Sequence, residues 1–233
     1  MIKIKLLLVL FITLTTPIFS QSGTITYSVN ISTNDKAIKE DIKETYNKLI
    51  EIARTQEFIL VFNRTASYFN IQNKLTDKNE YEAKMYKISR SAFTARNEVF
   101  TNISEKETIE RTYEDILIKK KNDSYAWKIT NESKKIDNYL CYKATFEEFF
   151  PRRDGTQGSR TITAWFAPSL PYNFGPLTYY GLPGLILELT RNSTTFLASK
   201  IEISEKQIPI DFPKGKTITH EEYDNKLKNQ MGM

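Results

Sequence analysis

The chain has 233 residues, 33 of them Lys or Arg against 28 Asp or Glu, for a formal charge of +5, with 40% apolar and 12% aromatic residues. So weak a basic balance, spread over short runs such as Lys119 to Asp123 and Lys134-Lys135, reads as solvated turns and not as a nucleic-acid surface. A single Cys and a single His exclude an intramolecular disulfide and argue against a zinc or transition-metal centre, which draws several such ligands.

Met1 to Lys5 carries two lysines, Leu6 to Phe19 is uncharged and largely apolar, and the small residue Ser20 precedes Gln21. These are the three parts of a secretory signal peptide. The apolar run is shorter than the about 20 residues of a membrane span. Residues 1–20 are therefore expected to be a signal peptide and 21–233 a single β-rich domain, periplasmic or extracellular, with no transmembrane anchor in the mature chain. Loss of Lys3 and Lys5 leaves 31 basic against 28 acidic residues, a charge of +3.

From Thr24 to Ile31 the apolar residues Ile25, Tyr27, Val29 and Ile31 alternate with polar ones, the period of a half-buried strand. Asn34 and Asp35 can cap a helix in which Ile38, Ile42, Tyr46, Leu49 and Ala53 recur every three or four residues, ending near Arg54. Short β-prone runs follow: Phe58 to Phe62, Ser67 to Ile71, Met85 to Ile88, Glu98 to Asn102, Ile116 to Lys119, Ala126 to Thr130, Tyr139 to Phe146, Thr161 to Phe166, Leu185 to Leu189 and Phe196 to Ile203. Asn73 to Asn79, Lys121 to Asp123 and Asp154 to Gly158 read as hairpin connectors, which favours an antiparallel meander. Ala167 to Gly181, with three prolines and four aromatic rings, reads as a stiff loop that either rims a site or seals the core. Thr219 and Glu222 form a capping box for a short C-terminal helix, Glu221 to about Asn229.

The most informative stretch is Gly181-Leu-Pro-Gly-Leu-Ile-Leu-Glu-Leu189. Pro183 and Gly184 suit positions i+1 and i+2 of a type II turn, and the turn leads into a strand apolar on nearly both faces. With this motif come Trp127-Lys-Ile129, the strand Lys134 to Ala144 with its Cys141-Tyr-Lys-Ala core, Ala164-Trp-Phe-Ala-Pro-Ser-Leu-Pro171, Gly175-Pro176 and the closing Thr219 to Tyr223. In that order they resemble the GLPGLI family of secreted Bacteroidota proteins, named for the motif. Phe166 and Ser169 stand where that family often has tyrosine and an acidic residue. The resemblance implies a secreted origin and carries over no catalytic residue.

Candidate chemistry is sparse. Cys141 and His220 would form a dyad only if the C-terminal helix folded back onto the strand of Cys141. Glu188, in the most apolar strand, is either a general acid with a raised pKa or a glutamate ion-paired with Arg191 or a lysine. Gly155-Thr-Gln-Gly158 lies between strands and not before a helix, so it is no phosphate loop. No catalytic residue, metal ligand or cofactor is assigned.

The expected fold is mainly β (α+β): a curved antiparallel sheet, open or partly closed as a barrel, with one amphipathic helix packed on it and a short C-terminal helix. An incomplete barrel with a helix in its mouth is similar in architecture to bacterial lipoprotein carriers. Function is accordingly expected to be that of an exported, non-enzymatic binding protein, a carrier of an apolar ligand or acyl chain. The ligand-binding or docking residues would be Trp165, Tyr172, Phe174, Tyr179 and Tyr180, beside the structural motif Gly181, Leu182, Pro183, Gly184, Leu185 and Ile186. The alternatives are an interaction module for an envelope protein of an outer-membrane system and, last, a hydrolase.

Overall fold

The computed structural model describes residues 22–33, 38–72, 79–121, 125–152 and 155–230. In chain order they form β1 (Ser22–Ile31), α1 (Glu40–Arg54), β2 (Glu57–Phe62), β3 (Ala66–Ile71), α2 (Glu80–Phe93), β4 (Glu98–Asn102), β5 (Glu107–Arg111), β6 (Leu117–Lys121), β7 (Lys128–Ile136), β8 (Tyr139–Pro151), β9 (Gln157–Ala167), β10 (Leu185–Arg191), β11 (Thr194–Ser204), β12 (Thr217–Ile218) and α3 (His220–Gln230). The fold is mainly β, as the alternation of apolar residues predicts.

All twelve strands share one sheet, in the order β12-β6-β5-β4-β3-β2-β1-β11-β10-β9-β8-β7. Strands β1 to β6 and β7 to β11 are two antiparallel meanders, and β1 joins them by pairing with both β2 and β11. Chain connectivity then dictates the curvature. Only seven residue steps separate Lys121, which ends β6, from Lys128, which begins β7, yet ten inter-strand steps part these strands in the sheet. A flat sheet would hold them about 48 Å apart at roughly 4.8 Å per step. Seven residues reach at most about 25 Å. The sheet is therefore curled into an open bowl whose edges are β12 and β7.

Its concave face holds the core. Ile25, Tyr27 and Ile31 of β1, Phe58, Leu60 and Phe62 of β2, Phe69 of β3 and Phe196 of β11 are each at most 1% exposed. Phe58 stacks on Phe69 with ring centroids 5.4 Å apart and meets Phe196 edge-on at 5.3 Å. Helix α1 buries Ile50 and Ala53 in the same cluster. Helix α2 lies beside α1, tied to it by the Ser89 hydroxyl, which donates to the Leu49 carbonyl at 2.6 Å, and by the Tyr46 and Phe93 rings, 5.5 Å apart.

Several local expectations are corrected. Met85 to Ile88 belongs to α2 and not to a strand. Asn79 caps this helix, accepting from the Glu82 N–H at 2.9 Å while its own N–H donates to Glu82 Oε2 at 3.3 Å. Met85, Ser89 and Arg90 then fall on the buried face. The caps expected at Asn34 and Asp35 lie outside the described residues; α1 begins at Glu40 behind Lys39, whose side chain makes no capping bond. β6 and β7, the strands on either side of the expected hairpin connector Lys121 to Asp123, do not pair with each other; Asn122 and Asp123 lie outside the described residues. Lys134 to Ala144 is the hairpin of β7 and β8, reversed at Asp137, which takes a positive φ of 51°. At the C-terminal end the Thr219–Glu222 box is present, with the Glu222 N–H donating to Thr219 Oγ1 at 3.1 Å.

Turn geometry at the motif also differs from type II. The Gly184 N–H donates to the Leu182 carbonyl at 2.8 Å, closing a three-residue turn around Pro183, and the Leu185 N–H goes to Leu170 instead, at 2.9 Å. A Cβ at Gly184 would collide with the Ala167 carbonyl oxygen, so glycine is required there by close backbone approach.

Candidate functional site

Curling of the sheet brings strands from its two halves face to face. Between them lies a cleft of about 310 Å3 that includes Glu110 on β5, Lys120 on β6, Glu148 on β8, Arg191 on β10, His220 on α3, and Arg96 and Asn97 in the link from α2 to β4. Leu177, Thr178 and Tyr179, from the loop between β9 and β10, complete the wall. Leu177 holds a φ of 59°, a left-handed conformation costly for a bulky residue. Such strain persists only where the surroundings impose it.

Two charged clusters face this cleft. On one side His220 Nε2 and Glu110 Oε1 are 3.1 Å apart, and Asn97 Nδ2 donates to Glu110 Oε2 at 2.8 Å. Burial alone would raise the Glu110 pKa, but the hydrogen bonds from His220 and Asn97 outweigh it and hold the carboxyl below its usual range. The same hydrogen bond raises the His220 pKa. On the other side Glu148 accepts from the Tyr179 hydroxyl at 2.9 Å and from Arg160, its cross-strand neighbour on β9. Burial pushes the Tyr179 phenol far above its usual pKa. Burial likewise takes the nearby Tyr125 phenol up to about 12, with the Glu148 and Glu110 charges adding to the rise.

Among the described residues, the buried side-chain polar atoms without a hydrogen-bond partner are Gln56 Nε2, Asn97 Oδ1 and Arg191 Nε. Two line the cleft. The third belongs to the residue that accepts, through Gln56 Oε1, from the hydroxyl of the cleft-lining Thr94 at 2.7 Å. Arg191 Nε lies 3.8 Å from Glu148 Oε2, too far for a hydrogen bond. Unpartnered buried groups are uncommon in folded proteins, and the two that line this cleft make it the candidate site.

The aromatic residues singled out in the sequence are distributed differently. Tyr179 and Tyr180 join Tyr125, Trp127 and Phe146 in a ring cluster at the cleft's edge, with Tyr125 at 5.6 Å from Tyr179 and 5.3 Å from Tyr180. Trp127 Nε1 donates to the Tyr180 carbonyl at 3.0 Å. Tyr172 and Phe174 are buried, Tyr172 against Phe62 at 4.7 Å. Trp165 lies on the opposite face, under Lys134 Nζ at 4.3 Å from its ring centre. That lysine also pairs with Glu188 at 2.6 Å, so the ion-paired reading of Glu188 holds, with Lys134 as the partner. Cys141 is fully buried on β8 and its thiol is pushed up to about 11 by burial, while His220 is committed to Glu110.

A second recess, of about 400 Å3, runs along Tyr68, Phe100 and Arg111 beneath Ile208, Pro209 and Ile210. Of its two charged members, Arg111 and Asp211, Arg111 is already paired with Glu98.

Two solved structures of PNGF-II, in space groups C2 and P21, share the fold, with TM-scores of 0.52 and 0.54. The chain is 17% and 16% identical to them, with 88% of it covered in each. It spans only about a third of their length, 32% and 33%. No curated protein matches it in sequence. Residues 152–188 match the model of a family described as "Protein of unknown function (Porph_ging)". These residues include the Gly181 to Ile186 motif, and the family resemblance read from that motif is borne out. Over this segment, from the β8–β9 hairpin to the middle of β10, the chain carries the signature of the Porph_ging family.

Proposed function

We propose that this is an exported, non-enzymatic binding protein whose ligand occupies the polar cleft between the two halves of the sheet. The observation that carries the reading is the gathering of Asn97 Oδ1, Arg191 Nε and Gln56 Nε2, all without hydrogen-bond partners, in and behind that cleft. Desolvating such atoms costs about 1–3 kcal/mol each. A ligand that supplies their missing bonds recovers this, which favours the bound state. The alternative position, between α1 and the sheet, is occupied by Ile50, Ala53 and the aromatic core. Export rests on the composition of residues 1–20.

A hydrolase is the second reading, favoured by the convergence of Glu110, Glu148, Tyr179 and His220 on one cleft. Against it, Glu110 is held ionised and Glu148 already accepts from Tyr179 and Arg160, so neither is poised as a general acid.

Native mass spectrometry of the mature protein purified from a periplasm tests the binding reading. A stoichiometric small polar molecule, lost in the Asn97→Ala protein, is expected. A bound species that survives disruption of the cleft, or turnover of a compound that binds there, would overturn it.

A further inference from the structure

The reading of the cleft as the binding site leaves the ligand's chemistry open, and the charges that line it narrow the choice. Arg96, Lys120 and Arg191 stand against two carboxylates, Glu110 and Glu148. Both carboxylates are engaged within the protein: Glu110 with Asn97 and His220, Glu148 with Tyr179 and Arg160. Arg191 has only a long ion pair with Glu148, at 3.8 Å, so three cations share two carboxylates that are already hydrogen-bonded within the protein. Arg191 Nε is buried and makes no hydrogen bond, and a guanidinium N–H is matched best by an anionic oxygen. Asn97 Oδ1 needs the opposite, a hydrogen-bond donor.

We infer that the ligand is a small organic acid, with a carboxylate that accepts from Arg191 Nε and a hydroxyl or amino group that donates to Asn97 Oδ1. Arg96 and Lys120, both exposed, stand at the cleft where they attract the acid from solution. A cleft of about 310 Å3 admits a single sugar acid or amino acid and not an extended polymer. Sugar acids and amino acids share this pairing of carboxylate and donor.

Isothermal titration of the full mature protein separates these sources and tests the inference. The probes are D-glucuronate and, for the amino acids, N-acetyl-L-alanine, each beside a neutral counterpart without a carboxylate, D-glucose and N-acetyl-L-alaninamide. At least one acid is expected to bind about tenfold more tightly than its neutral partner, the scale of a charge-assisted hydrogen bond. Arg191→Gln is expected to abolish that preference while leaving the thermal unfolding midpoint close to wild type. Should Arg191→Gln fail to fold, the exposed Lys120→Met serves instead, with the acid bound about threefold more weakly. Neutral compounds bound as tightly as acids would overturn the anionic ligand and leave the binding site standing. Binding of none of the four would overturn both.

Discussion

His220 Nε2, in the first turn of α3, lies 3.1 Å from Glu110 Oε1 on β5, so that the chain's only histidine holds the C-terminal helix against the sheet and forms one wall of the cleft. The other charged groups that act on this histidine are Lys120 and Asp224.

The pair's pH dependence has a defined sign. A histidine whose pKa is raised on folding stabilises fully below its unfolded value of about 6.5 and loses that contribution as pH rises through the folded value. A glutamate whose pKa is lowered stabilises above about 4.3 and loses it as pH falls through the folded value. The benefit is thus greatest between these limits. Thermal melting of wild type against His220→Gln from pH 4 to 9 is expected to show the largest difference between about pH 5 and 6, shrinking above neutrality. The His220 side chain is 47% exposed, so the difference should stay below about 1 kcal/mol.

Gly184 and Gly181 separate two reasons for glycine in one motif. At Gly181 φ is +92° and a Cβ meets nothing within 4 Å, so alanine meets only the backbone cost, about 1–2 kcal/mol. At Gly184 the Cβ runs into the Ala167 backbone, which cannot turn aside as a side chain would. Gly184→Ala is expected to destabilise by more than about 3 kcal/mol in urea unfolding. Equal effects at both positions would refute the close-approach account.

Tyr27 ties β1 to the motif. Its hydroxyl, fully buried, donates to the Ile186 carbonyl at 2.6 Å. The register of β10 against β9 shifts between Ile186 and Glu188, and the pairing of β10 with β11 starts only at Glu188, so the Ile186 carbonyl has no strand partner on the β11 side. Tyr27→Phe should cost about 1–3 kcal/mol by orphaning a buried acceptor, with circular dichroism unchanged.

Cys141 should be inert in the folded protein. Its thiol is fully buried and its pKa is pushed up to about 11, so the thiolate is scarce at neutral pH. A chromogenic disulfide reagent at pH 7.5 is expected to label it slowly in buffer and within seconds in denaturant. Rapid labelling of the native state would show an exposed, activated thiol instead.

What the sequence discloses here is local periodicity and local capping. β1 is readable because Ile25, Tyr27, Val29 and Ile31 alternate with polar residues, and α3 because Thr219 and Glu222 stand three apart. Asn79 and Glu82 carry a signal of the same kind for α2, but Met85, Tyr86 and Ile88 suit a strand equally well, and Asn79 reads as the end of a polar connector. Strand β5, Glu107–Arg111, has polar residues at four of its five positions and offers little pattern to detect. The cleft is harder still. Glu110, Glu148 and Arg191 lie far apart in sequence and meet only because the β6–β7 link forces the sheet to curl, a constraint that appears once strand order is known. His220 and Arg191 drew attention for other partners, the first for Cys141 and the second for Glu188.

The central place of β1 has a consequence for how the molecule is made. This strand pairs on one side with β2, nearby in sequence, but its other edge waits for β11, and its buried tyrosine reaches a carbonyl 159 positions away. During synthesis β1 emerges first, and the backbone N–H and C=O groups of one long edge stay unpaired until the last quarter of the chain has emerged. Contacts so distant in sequence slow folding and leave that edge open to wrong partners. The final zipping of β1 to β11 closes the edge and seats the Ile186 carbonyl on Tyr27, so that acquisition of the native state is gated by the arrival of residues 194–204.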